Sequence, residues 1–380
     1  MRRLMVVGSL TAVIAACGSN PPSSGMTTAA ASSRTTAAAT TAPTVASTAP
    51  SASTAQVPPT PAAAPSAHSI ALPGGPAPVW MDYLAFDAAT MKLWVPAGNT
   101  GNVDVIDDAS ETVTPVAGFA TREFDRQGHK RTVGPSSVAV GDGVVYVGNR
   151  ADSKICAVDA KSLKIGNCLA LSSSPDGIAY VKSAKELWVT TPRDQSLVVL
   201  DASTPGTLKP KASIKLAGGP EGYAVDDAHG VFYTNLEDTN ATLAIDIASR
   251  KVTSTWKTDC NADGPRGLAI DPAKRFLFVA CTDHTVTVDA GHHGEVLGSV
   301  QTGAGVDNID YAAALHLVYV ASGKTATLTV AKVDDKGALT VAGTVPTGDG
   351  ARVVVVDPSG KAFIADSAQG RIDVAMPPPK

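Results

Sequence analysis

The sequence predicts an all-β fold: seven four-stranded antiparallel blades closed into a ring, a β-propeller. Three observations predict it. A unit of turn, strand, turn and strand recurs at roughly 40 to 45 residues, the length of one blade. The second strands of these units align as seven similar tetrapeptides. The last unit lacks a fourth strand, and the start of the repeat region supplies a matching one.

The chain opens before the repeats with Arg2 and Arg3, then an apolar run from Leu4 to Ala16 that is too short to span a bilayer. It ends in Ile14-Ala15-Ala16-Cys17, which resembles the lipobox of bacterial lipoproteins. The resemblance implies a signal peptide over 1–16, lipid on the Cys17 thiol, and a place in the bacterial cell envelope. That place would be the periplasmic face of the outer membrane or the cell surface. Several acyl chains, at roughly 0.8 kcal/mol per buried CH₂, would hold the protein at the membrane. Residues 17–66 are almost entirely Ala, Thr, Ser and Pro. Such a segment cannot offset the entropy of ordering its chain and reads as a disordered tether. Residues 67–380 are long enough for a large core.

Within that region the first strands recur as Gly219-Pro-Glu-Gly-Tyr-Ala-Val-Asp226, Gly264-Pro-Arg-Gly-Leu-Ala-Ile-Asp271 and Ser174-Pro-Asp-Gly-Ile-Ala-Tyr180. The second strands read Trp94-Val-Pro-Ala97, Tyr146-Val-Gly-Asn149, Trp188-Val-Thr-Thr191, Phe232-Tyr-Thr-Asn235, Phe278-Val-Ala-Cys281, Tyr319-Val-Ala-Ser322 and Phe363-Ile-Ala-Asp366. They resemble the tetrapeptide of the YVTN-repeat family of β-propellers. The seven-bladed lactonase-type propellers are similar too. One such unit cannot bury both faces alone, whereas ringed neighbours bury them between blades. The segment Ser69-Ile-Ala-Leu-Pro-Gly-Gly75 matches Ser213-Ile-Lys-Leu-Ala-Gly-Gly219, a fourth strand running into the next unit. Residues 69–75 are therefore expected to pair with residues 370–376 and close the ring.

Cys17 aside, four cysteines remain, an even number in an oxidising compartment. Cys156 and Cys168 fall on adjacent strands across a short turn. Cys260 lies in a crossover and Cys281 at the end of the next second strand, on one face of a propeller. Disulfides Cys156–Cys168 and Cys260–Cys281 are expected; without a CxxC, a zinc site is the weaker reading.

The residues heading the innermost strands are Asp82, Ser136, Asp176, Glu221, Arg266, Asp307 and Arg352. Charge on strands that are otherwise apolar implies pairing or function. This axial ring could bind a small polar ligand, hold a cation at its acidic arc, or pair with itself. Asp176 and Glu221 head neighbouring strands, and Ca²⁺ is the ion that such oxygens suit. An outer shell of the same funnel is expected from Asn149, Thr191, Asn235, Glu237, Ser322 and Asp366, unless these only satisfy backbone groups at turns. The charged run Arg122–Arg131 between the first two units reads as a long crossover on that face, either a lid or a solvated loop.

The net charge of −4, without a basic stripe, points away from nucleic acid. The leading functional reading is a membrane-anchored propeller presenting a scaffold for an envelope protein or a polar ligand. The first alternative is a lactonase-like hydrolase, in which Asp82, Asp176, Glu221, Asp307 and Asn308 imitate an axial metal site. The second is an electron-transfer subunit, resembling the propeller of quinohaemoprotein amine dehydrogenase, which would need a separate redox partner because no CxxCH is present.

Overall fold

The computed structural model of the protein describes residues 67–75, 77–126, 129–260 and 264–378. The expected signal peptide, Cys17 and the expected tether lie outside the described residues. Among these residues, seven four-stranded antiparallel sheets and one two-stranded hairpin account for the strands. In chain order the blades occupy residues 85–117, 135–170, 178–215, 220–256, 268–301, 306–346 and 354–375, the last completed by the strand Ala67–Ala71.

The closing strand pairs with the expected partner, but it spans Ala67–Ala71 rather than residues 69–75, in a register running from Ala67 opposite Ala375 to Ala71 opposite Arg371. Its amphipathic pattern explains the direction it faces. Ile70 is buried with Ile372, Val374 and Phe363, while its neighbours on the strand face solvent. The closure removes a free edge from the last blade, which would otherwise present unpaired backbone groups.

Several local devices recur among the blades. In four of them the turn after the first strand is closed by an aspartate accepting a backbone N–H: Asp87 from Ala89, Asp226 from His229, Asp271 from Ala273 and Asp357 from Ser359. Such Asx turns explain the recurring Asp without invoking a ligand. Strands alternate their side chains between the two faces, so each blade buries one set against the preceding blade and one against the next. Seven apolar clusters fill the seven blade–blade interfaces. In six blades, the aromatic that opens the second-strand tetrapeptide (Trp94, Tyr146, Trp188, Phe278, Tyr319 or Phe363) is fully buried against the following blade.

The fourth blade departs from the sequence alignment by one residue. Its second strand runs Val231–Leu236, with Val231 opposite Asp246 and Leu236 opposite Ala241. In the second blade the equivalent pairs are Val144–Asp159 and Asn149–Lys154. Tyr233, not Phe232, is therefore the counterpart of Tyr146, and Asn235 is the counterpart of Gly148. A slip of one residue exchanges the two faces of a strand. Phe232 accordingly packs backwards on Trp188, with ring centroids 4.8 Å apart, while Tyr233 packs forwards into the fifth blade.

Both disulfides form with the expected partners. Cys156 and Cys168 are directly opposite in the third and fourth strands of the second blade. Cys260 links the crossover to Cys281 at the start of the fifth blade's second turn.

Candidate functional site

The innermost strands converge on the axis so closely that neighbouring backbones touch. The repeated Pro-x-Gly segment reads as a turn, but Gly267 serves a different end. A side-chain carbon there would lie 2.6 Å from the carbonyl oxygen of Asp307 in the next blade. Hydrogen bonds also pass directly between blades, from the amides of Asp307 and Asn308 to Arg352 and from Tyr83 to Ser136. Across the axis, Tyr83 of the first blade stacks on Tyr223 of the fourth, with centroids 5.6 Å apart. Both rings line the lower of two cavities near the axis.

The upper cavity holds about 590 Å³ and is lined by Phe124, Arg131, Arg150, Asp176, Arg193 and Glu221, among others. The lower one, about 280 Å³, contains Asn308 and Asp310. Asn308 thus lines the lower cavity and does not join the acids of the axial ring, as the lactonase-like arrangement requires.

Most of the axial ring pairs with itself. The residue that makes this possible, Arg150, follows Asn149 at the end of a second strand and was outside the predicted set. Its guanidinium donates to Asp82 at 2.8 Å and also to Asp176, so one cation serves acids from two other blades. Burial works against its charge, but the two carboxylates outweigh that and raise its pKa above the ordinary arginine value. Tyr83 adds a long hydroxyl contact to Asp176, at 3.4 Å. Burial raises the Asp176 carboxyl all the same, against the opposing pull of Arg150. Arg266 pairs with Glu237 at 2.6 Å, and Arg352 with Asp307 at 3.2 Å. Burial, reinforced by Asp82, pushes Asp307 up to about 7. Ser136 is buried and its hydroxyl approaches the Gly148 carbonyl.

Once the fourth blade is placed in register, Glu237 and Arg150 are equivalent. Both stand one position past their second strand, and each reaches an innermost-strand head. The signal was present in the sequence as a charge directly after the tetrapeptide, but only the corrected register brings the two together.

Glu221 differs from its neighbours in the ring. No hydrogen bond or ion pair reaches it among the described residues. Burial, then Asp176, Asp307, Glu237 and Asp82, push its carboxyl up to about 9. The pairing of Asp176 with Arg150 leaves Glu221 without the partner carboxylate expected for a calcium site. Among the described residues no group of three or more His, Cys, Asp or Glu is gathered closely enough to hold a metal ion.

The rest of the outer shell is hydrogen-bonded within the fold. Asn235 donates to the carbonyl of Arg266 at 2.7 Å and accepts from Thr242. Asn149 donates to Ala120 and Thr191 to Ser196, while Ser322 donates to Thr302. Asp366 accepts from Arg371 and Gln369. All five are buried and hold turns and blade edges together. The charged run, by contrast, forms a hairpin of Arg122–Arg126 with His129–Val133 at the funnel mouth. Arg131 lies 4.1 Å over the Trp80 ring, and Arg193 lies 5.7 Å over Phe124.

No family model and no curated protein matches this chain. Solved structures do, at the level of fold. A chain of a mitotic checkpoint complex matches with a TM-score of 0.66 at 14% identity, over 88% of this chain and 98% of that one. A chain of Kuenenia stuttgartiensis hydrazine synthase gives 0.67 at 16%, over 80% and 97%. The β-propeller domain of Myceliophteria thermophila Cps50 (Swd1) gives 0.62 at 11%, over 82% and 98%. The chain is a seven-bladed β-propeller.

Proposed function

We propose that this protein is a lipid-anchored binding module of the bacterial cell envelope, a YVTN-repeat propeller that captures a polar ligand or protein segment at its funnel mouth. The observation that carries the reading is the upper cavity itself. It is an open recess of about 590 Å³, within the range of ligand sites, lined by acidic and basic side chains. Propellers of this fold occur in assemblies such as the mitotic checkpoint complex, which makes a protein partner a natural occupant as well. The anchor and tether would hold the mouth at a distance from the membrane.

The hydrolase reading has less support, because Asn308 is separated from the axial acids and Arg150 already compensates two of them. The test is mass spectrometry of the native full-length protein. A species that co-purifies with the wild type is expected to be lost from Arg193→Glu and retained by Lys336→Glu, which alters an exposed turn far from the mouth. Identical contents in all three preparations would remove the funnel mouth as the binding site.

A further inference from the structure

We infer that the funnel mouth takes a small zwitterion, seating its ammonium on Glu221 and its carboxylate on Arg131 and Arg193. The inference rests on reading the mouth as a binding site and adds the chemistry of what is bound there.

Most charges around the funnel are already satisfied. Arg150 is held by Asp82 and Asp176, Arg266 by Glu237, and Arg352 by Asp307. Three ionisable residues lining the upper cavity have no ion pair among the described residues: the acid Glu221 and the cations Arg131 and Arg193. They share one recess.

The two arginines are arranged as a carboxylate site would require. Each guanidinium rests over an aromatic ring, Arg131 on Trp80 and Arg193 on Phe124. A cation held over a ring face makes no hydrogen bond there, so the guanidinium N–H groups stay available to a carboxylate, which they match in bidentate geometry. The aromatic contacts also restrict the arginines before a ligand arrives, which lowers the entropy lost on binding.

Glu221 asks for the opposite charge. The acids around it, Asp176, Asp307, Glu237 and Asp82, each disfavour its ionised form. Arg150 and Arg266 lie nearby but are already engaged with those acids. A ligand ammonium would supply the missing cation. A free divalent ion fits the recess poorly, because Arg131, Arg150 and Arg193 line the same cavity and would repel it. A zwitterion answers both signs at once. At neutral pH the Glu221 carboxyl is largely protonated, so binding of an ammonium is accompanied by release of one proton to the buffer.

The probe is an equimolar mixture of natural dipeptides, alongside the same mixture N-acetylated and the same mixture C-amidated, added to the full-length protein. The unblocked mixture is expected to bind, and each blocked mixture at least tenfold more weakly. Glu221→Gln should erase the difference between the unblocked and acetylated forms, and Arg193→Gln that between the unblocked and amidated forms. Calorimetry at pH 7.5 in buffers of different protonation heat should show proton release for the wild type and none for Glu221→Gln. Equal binding of blocked and unblocked mixtures overturns the inference. So does failure of every dipeptide while Arg193→Glu still strips a co-purifying species, a result that leaves the mouth as a binding site of another chemistry. Failure of every dipeptide with nothing stripped removes both readings.

Discussion

At the scale of single residues, Arg150 and Asp104 show how burial decides what a charge does. Arg150 stands between Asp82 and Asp176, with side chains only 26% and 14% exposed. Removing one partner of a buried ion pair costs more than the pair contributes, because the other charge is stranded. Arg150→Met is expected to lower stability by about 3 kcal/mol at pH 7 in urea unfolding. Part of this loss should return on acidification, as the raised Asp176 carboxyl takes up a proton and no longer needs a cation. Calcium completes the measurement. Equal wild-type melting in calcium and in chelator identifies an arginine-compensated ring, whereas a rise abolished by Asp176→Asn with Glu221→Gln identifies a cation site. Asp104 is the contrasting case. It is fully buried on the third strand of the first blade, and neither carboxylate oxygen has a hydrogen-bond partner. Burial raises it to about 7. Its neutral form is the one the fold tolerates. Stability is therefore full below the ordinary carboxyl range and declines as pH rises from about 4 through 7. The equivalent strand position is Val198 in the third blade and Val286 in the fifth. Asp104→Val should raise stability at pH 8 by on the order of 2 kcal/mol and change it much less at pH 4. A pH-independent difference between the two proteins would count against a buried, titrating Asp104.

At the scale of elements, the strand Ala67–Ala71 and the fourth blade carry the main lessons. The strand contributes few residues, yet it pairs with Arg371–Ala375 and covers the edge of the last blade. Ile70 and Leu72 also belong to the apolar cluster between the last blade and the first. Deleting residues 67–72 should therefore destabilise the first and last blades together. Hydrogen exchange is expected to show lost protection at both 362–375 and 92–107. Loss confined to one blade, or unchanged exchange, would argue against closure by this strand. The fourth blade shows the limit of reading repeats by eye. Phe232-Tyr-Thr-Asn235 resembles its neighbours best with Phe232 aligned to the other aromatics, but two aromatics stand side by side. Packing selects Tyr233 to face the next blade. Asn235, the polar residue that looked most like a ligand-binding group, consequently points at the backbone of the fifth blade.

At the scale of the whole molecule, the ring makes a recess that no single blade contains. The cavity walls come from the hairpin after the first blade and from the second, third and fourth blades. Arg150, Asp176 and Arg193 stand on short turns and connections that the blades hold in place. The proposed tether and lipid would deliver this scaffold to a membrane surface. Metabolic labelling with an alkyne fatty acid is expected to mark the wild type and leave Cys17→Ser unlabelled. Equal labelling of both would remove the anchor from the proposal.

The blade count, the ring closure and both disulfide pairs were legible in the amino-acid sequence because each depends on relations within or between repeats. Alternating apolar residues, Asp-closed turns and repeat spacing are local, and a missing fourth strand at one end identifies its complement at the other. The charged strand heads were legible as a set for the same reason. Their partners were not. Asp82, Arg150 and Asp176 come from three blades, and an arginine side chain is long enough to choose among several acids. The Tyr83–Tyr223 stack and the unpaired state of Glu221 depend on how closely seven strands approach one axis. A repeat pattern encodes the unit that must be packed. The distances and burial at the centre exist only once the ring has closed, and they decide which charges neutralise one another and which remain for a ligand.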